Sequence, residues 1–282
     1  MAISIRKAAW GIFLLLGVGS CIAWADVIDL TTAGNTGSAA ANVGGTFYVQ
    51  QISPQSTGTG VINSFLRIHN ASATVEAGYN VATSPNPPLD DVSGTWLHLL
   101  TLADIPVVTY NGQQYRQFLL DVNQEGGAPN ISLNQIQLFV GNATSATLTG
   151  TPCNVSDPNC TSTTTPDIGL SGLTQIFAMN GSGAFSTSST QIQLDSKLNS
   201  GSGSGDMFLY IPVATFANVS DSANITLFSQ FGDPPGTYAQ NDGYEEWAVL
   251  TGSTSVPDGG VTLMLLGGAL VGLETLRRRL RA

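Results

Sequence analysis

Apolar residues in this chain return at every second position in short runs, and few stretches repeat every three or four as an amphipathic helix would. Ile136, Leu138 and Val140 alternate with Gln135, Gln137 and Phe139, and Ile192 and Leu194 alternate with Gln191, Gln193 and Asp195. The same period predicts strands over Thr46–Ile52, Val61–His69, Leu97–Leu102, Pro106–Tyr110, Gln114–Val122, Leu173–Met179, Met207–Ile211, Ile225–Phe231 and Glu246–Thr251. Asn111-Gly112 stands between two of these runs, and that dipeptide marks a tight hairpin because both residues tolerate positive φ. About ten strands joined by Gly, Ser, Thr and Asn predict an all-β fold, an antiparallel β-sandwich or jelly-roll-like single domain. Ser84–Gly94 and Gly150–Pro166 are expected to be loops. Ser200–Gly205 is a Gly/Ser run that forms either a flexible turn or a backbone concavity for a ligand.

Both ends depart from this pattern. Arg6 and Lys7 precede an apolar stretch from Ala8 to Ile22, and Ala23-Trp24-Ala25 supplies the small residues of a cleavage site. Residues 1–25 therefore read as a signal peptide, with Asp26 the new N-terminus. Val18-Gly19-Ser20-Cys21 is a loose lipobox that would instead lipidate Cys21, but the apolar run continues past it. Residues 26–254 form the secreted domain. From 255 to 282, Ser255-Val256-Pro257-Asp258-Gly259-Gly260 is followed by the apolar run Val261–Leu273 and then by Arg277, Arg278, Arg279 and Arg281. The run is shorter than the ~20 residues of a comfortable membrane span. Extended through Leu276 it becomes a tilted or thinned passage at some cost for Glu274, with the arginines on the cytoplasmic side.

This order of motif, short helix and arginines resembles the PEP-CTERM sorting signal, in which a Val-Pro-Glu-Pro-like motif opens the tail. Val256-Pro257-Asp258-Gly259 is closer to the Val-Pro-Asp-Ser-Gly variant. The resemblance implies a Gram-negative-type host, transient anchoring in the inner membrane, recognition by an exosortase, and release to the cell surface or extracellular matrix. The body carries further blocks similar to those of PEP-CTERM surface proteins of no assigned activity. They are Ser56–Ile68, Tyr115–Gln124, Gly201–Met207 and Asn241–Trp247.

Charge narrows the function. Of nine basic residues only Arg67, Arg116 and Lys197 lie between Asp26 and Ser255, against seventeen carboxylates, leaving that body at −14. Such a surface repels phosphate backbones and excludes nucleic acid as a partner. Cys153 and Cys160, in a turn-rich segment of an exported chain, are expected to form a disulfide. His69 and His98 lack the spacing and neighbouring cysteines of a zinc site, and no Ser/His/Asp or Cys/His set is present. Asp121 with Glu245 is one of many carboxylate pairs that could serve a glycosidase. The Asn-x-Ser/Thr triplets follow from composition and are assigned no role.

Two ligand sites remain as expectations. Asp121, Asn123 and Glu125 place oxygens at alternate positions before Gly126, in the manner of a structural calcium site; Asx turns give the same letters. No other cofactor is expected. Phe228, Phe231, Tyr238, Tyr244 and Trp247 could form a sugar-stacking face, centred on Tyr244 and Trp247, unless the rings pack inward. Arg67 and Arg116, each within a strand pattern, are expected to pair with body carboxylates, Arg116 with Asp121 or Glu245. The chain thus reads as a non-enzymatic surface protein of the extracellular polysaccharide matrix of a biofilm. A carbohydrate-binding module and a matrix-polymer hydrolase stand as alternatives.

Overall fold

The structure is a computed structural model that describes residues 27–52, 64–71, 74–80, 89–125, 127–141, 147–149, 169–180, 190–199, 204–232, 237–241 and 243–250. The expected cleavage site at Ala23 and Ala25, the disulfide of Cys153 and Cys160, and the sorting signal from Val256 to Gly260 with Arg277, Arg278 and Arg279 lie outside the described residues.

Among the described residues sixteen strands carry the fold. The first eight are β1 (Val27–Asp29), β2 (Thr36–Ala40), β3 (Thr46–Gln51), β4 (Ser64–Ile68), β5 (Glu76–Tyr79), β6 (Leu100–Thr101), β7 (Val107–Tyr110) and β8 (Gln113–Asn123). The others are β9 (Asn130–Val140), β10 (Thr147–Thr149), β11 (Gly169–Ser171), β12 (Thr174–Ala178), β13 (Gln191–Asp195), β14 (Met207–Pro212), β15 (Asn224–Phe231) and β16 (Tyr244–Ala248). The helical elements described are two 3₁₀ turns, Leu102–Asp104 and Val213–Phe216. Among the described residues no helix is long and apolar enough to cross a membrane.

Two seven-stranded sheets account for all but β10 and β11, which pair with each other. Sheet A runs β1-β13-β9-β15-β5, with β12 also on β9 and β6 on β15; sheet B runs β2-β3-β14-β8-β16-β4, with β7 also on β8. One apolar cluster draws from both sheets: Ile131, Leu133, Ile136 and Leu138 from β9, and Phe118, Leu120 and Val122 from β8. The parity break between Leu133 and Ile136 is a bulge at Asn134, where β15 pairs Gln230 with Gln135 and Phe231 with Leu133. The extra residue keeps apolar side chains inward on both sides of the bulge. A smaller cluster of Ala77, Tyr79, Phe139, Leu170 and Phe228 covers the other face of sheet A.

The expected hairpin forms: Asn111 has φ 49° and Gly112 φ 76°, joining β7 to β8. The expected strand Leu97–Leu102 is paired only at Leu100 and Thr101. Asp104 Oδ2 then accepts from the Thr101 amide at 2.9 Å and from its hydroxyl at 2.6 Å, which closes the chain into a turn. The antiparallel expectation meets one exception, since β1 pairs parallel with β13.

Candidate functional site

β16 lies between β4 and β8, and its alternation sorts its residues onto two faces. Trp247 faces the shared core and is fully buried; its indole Nε1 donates to Ser229 Oγ of sheet A at 2.9 Å. A buried indole needs such an acceptor, so Trp247 ties the two sheets together and is unavailable to a sugar. Phe228 and Phe231 are also fully buried. The expected aromatic face built on Trp247 is therefore corrected: of its five rings Tyr244 is the most open, at 41 %, and Tyr238 is half-buried.

Tyr244 belongs to a different cluster, which the sequence did not announce. On the face of sheet B turned away from the core, the Arg67 guanidinium lies 3.8 Å from the Trp96 ring centroid and 5.2 Å from that of Tyr244. His69 stacks on Tyr244 with centroids 4.2 Å apart and planes inclined by 17°. His69 Nδ1 is 2.7 Å from the Gly243 carbonyl oxygen, an acceptor, which places the ring proton on that nitrogen. Gly243 must be glycine: a Cβ there would sit 1.3 Å from the Asn123 carbonyl oxygen. Arg67 is held in place because its Nε and Nη2 both meet Glu246 Oε1, directly opposite it in register. Trp96 is 38 % exposed, so two open rings flank a fixed cation at the edge of the sheet. Each cation–π contact contributes roughly 0.5–2 kcal/mol, and both hold the rings in place.

Behind this edge runs a buried row of carboxyls. Glu246 stands opposite Asp121, and Asp206 lies beside Asp121 across β8 and β14. All three are buried. Asp206 Oδ2 accepts from the Val122 amide at 2.8 Å, while Oδ1 has no N–H donor. Burial pushes the Asp206 carboxyl well up, and the neighbouring Asp121 adds both like charge and a hydrogen bond between the two carboxyls. Burial also raises Glu246, with Arg67 opposing and Asp121 reinforcing the shift. One guanidinium serves this row, and hydrogen bonds meet part of the remaining need: the Gly205 amide and Asn123 Nδ2 donate to Asp121, and the Val122 amide to Asp206.

The expected pairing of Arg116 with Asp121 or Glu245 is not found. Its Nη1 donates to the Ile105 carbonyl and its Nη2 lies 3.7 Å from Asp221 Oδ1. Nor do Asp121 and Glu245 face one another. Glu245 is opposite Val122 and shares the parity of Trp247, whereas Asp121 is opposite Glu246 on the outward face. They cannot flank one glycosidic bond.

At the candidate calcium loop, Asn123 Nδ2 donates to Asp121 Oδ2 at 3.4 Å, while Glu125 is exposed. Asn241 fastens the loop: its Nδ2 donates to the carbonyls of Glu125 and Ala128, and its Oδ1 accepts from the Glu125 amide. Asn241 thus takes up one acceptor site on each of two loop carbonyls. Among the described residues no group of three or more His, Cys, Asp or Glu side chains is placed to hold a metal ion.

No family model matches the chain, and neither a curated protein nor a solved structure is similar to it.

Proposed function

We propose that the chain is a non-enzymatic, exported β-sandwich protein, released by an exosortase to the cell surface. There it is retained in the extracellular polysaccharide matrix through a glycan contact at Trp96, Arg67 and Tyr244. The observation that carries this reading is the pair of exposed aromatic rings around a cation immobilised by Glu246. Sugar C–H faces stack on electron-rich rings, and a guanidinium already fixed by its carboxylate loses little freedom on donating to hydroxyl groups. Two large sheets sharing one apolar cluster support the sandwich. The tripartite tail supports the sorting route.

Pull-down on the host's own exopolysaccharide tests the contact. Trp96→Ala and Tyr244→Ala should each abolish retention while leaving the thermal midpoint near that of the wild type. Retention unchanged in both variants removes the site. The sorting route is tested by mass spectrometry of the released protein: residues beyond Gly260 still attached, in a host with an intact exosortase, would exclude it.

A further inference from the structure

A second aromatic group occupies the far half of the same outward face. Tyr48 of β3, Tyr110 of β7, Tyr115 of β8, and Phe208 and Tyr210 of β14 share it, because their strand neighbours Phe47, Val49, Phe118, Leu209 and Ile211 point into the shared core. None of these five rings belongs to either apolar cluster. They pack on one another instead. Tyr110 lies parallel to Tyr210, with centroids 4.5 Å apart and 12° between planes, and Tyr48 meets Tyr115 at 5.6 Å edge to face. Their hydroxyls are fixed by amides, Tyr210 donating to Gln50 Oε1 at 3.0 Å and Tyr115 to Gln113 Oε1 at 3.1 Å. Tyr115 and Tyr210 are buried, while Tyr48, Tyr110 and Phe208 are half-buried, so part of each of these three rings reaches the surface after this mutual packing.

Among the described residues, the charged positions on these strands nearest this half of the face are the buried Asp206, two residues from Phe208, and Asp121 beside it; the positions around the tyrosines are uncharged. They run from Thr36 and Ser38 in β2, through Gln50 in β3, to Gln113 and Gln117 in β8. In a body of net −14, an uncharged patch of rings and amides is a departure. We propose that it is a second glycan-binding site, selective for uncharged polysaccharide. Ring faces take the C–H surfaces of sugars, and amides and phenols take their hydroxyls. Uronate, sulfate or phosphate groups would find no cation there and would meet the repulsion of the acidic body. The inference rests on the matrix reading for its class of ligand, but its site is separate. Arg67 stands in register with Glu246, Asp121 and Asp206, three strands and four residues from Tyr210, a separation of roughly 20 Å.

Native electrophoresis of the full chain through gels containing β-glucan, galactomannan, dextran or the polyanion alginate tests it, with light scattering to report the oligomeric state. The expected result is retardation in at least one neutral gel and none in alginate. Tyr110→Ala should bind about tenfold more weakly, the loss of one stacked ring, and Tyr110→Trp should retain binding. Because Tyr110 is half-buried at a hairpin end, Gln117→Ala provides a second variant that removes an amide without removing a ring. No retardation in any neutral gel overturns the proposal, as does equal retardation in alginate. If Tyr110→Ala and Gln117→Ala bind like the wild type while Trp96→Ala does not, this site falls and the Arg67 site stands. The converse pattern upholds this site and removes the other. A wild-type dimer that Tyr110→Ala converts to monomer would assign the face to a second copy of the chain and also overturn the proposal.

Discussion

Asp91 lies where the edges of the two sheets meet. It bridges to Ile68 of β4, and its Oδ1 accepts from the Tyr79 amide of β5 at 2.5 Å. Its side chain is almost fully buried, Oδ2 has no partner, and the neighbouring charge acting on it is that of Asp90, of the same sign. Burial pushes its carboxyl up to about 8, with the Tyr79 hydrogen bond opposing and Asp90 adding a little. The folded value exceeds the unfolded one, so the folded chain holds a proton that the unfolded chain releases above about pH 4. Stability from this group is therefore fully present below that pH and is lost as pH rises toward 8. Between pH 5 and pH 7 the loss is about 3 kcal/mol, at roughly 1.4 kcal/mol per pH unit per proton. Asp91→Asn keeps an oxygen for the Tyr79 amide and never ionises. Urea unfolding of both proteins at several pH values should show the variant gaining about 3 kcal/mol on the wild type between pH 5 and pH 7. Asp206 and Glu246 are raised in the same direction, but they are common to both proteins and cancel in the difference; Asp90, whose charge acts on Asp91, modifies the difference only slightly. Two curves that run parallel across that range would refute the assignment of a buried, neutral carboxyl at Asp91.

Three further outcomes are expected. Trp247→Ala should cost about 3–5 kcal/mol in chemical denaturation, because it empties a fully buried indole site and strands Ser229; it is a stability variant and unsuited as a binding control. Arg67→Met should destabilise by about 3–5 kcal/mol by leaving Glu246 buried without its cation, whereas the double variant with Glu246→Gln should recover most of that loss. Chelator should leave the thermal midpoint unchanged, since Asn241 fastens the loop through the carbonyls of Glu125 and Ala128 without an ion; a fall in the midpoint on adding chelator would support a structural calcium ion.

The parts of the fold that alternation could reach were legible, and the parts set by pairing were not. Gln135–Val140 and Gln191–Leu194 each carry a period of two within one strand, and both became strands whose apolar residues face the core. β2 is Thr-Gly-Ser-Ala-Ala and β5 is Glu-Ala-Gly-Tyr; neither alternates, and each exists because a neighbouring strand supplies its hydrogen bonds. One lesson was available in the chain itself. Tyr244 and Trp247 are separated by an odd number of positions, so a strand through both must send them to opposite faces, and a single sugar platform could not use the two. The same parity separates Asp121 from Glu245 across the pairing of β8 with β16.

The two outward clusters illustrate the limit more sharply. Tyr48 with Gln50, Tyr115 with Gln117, and Phe208 with Tyr210 are each spaced by two, so each pair declares a common face from sequence alone. That β3, β14 and β8 lie side by side is a fact of topology, and only it turns three short pairs into one patch. The row Arg67, Glu246, Asp121, Asp206 is harder still, for its members come from strands far apart in the chain and meet through register. Composition nevertheless constrained what such a row could be. With three cations among seventeen carboxylates, an acidic group carried inside by strand pairing meets a neutral hydrogen-bond donor more often than a counter-charge, as Gln240 serves Glu76 and Gln124 serves Glu245. The buried carboxyls whose pKa burial raises, Asp91, Asp206 and Glu246, therefore tie stability to pH, and the outward face of sheet B offers rings, amides and the one arginine that Glu246 holds at the sheet edge.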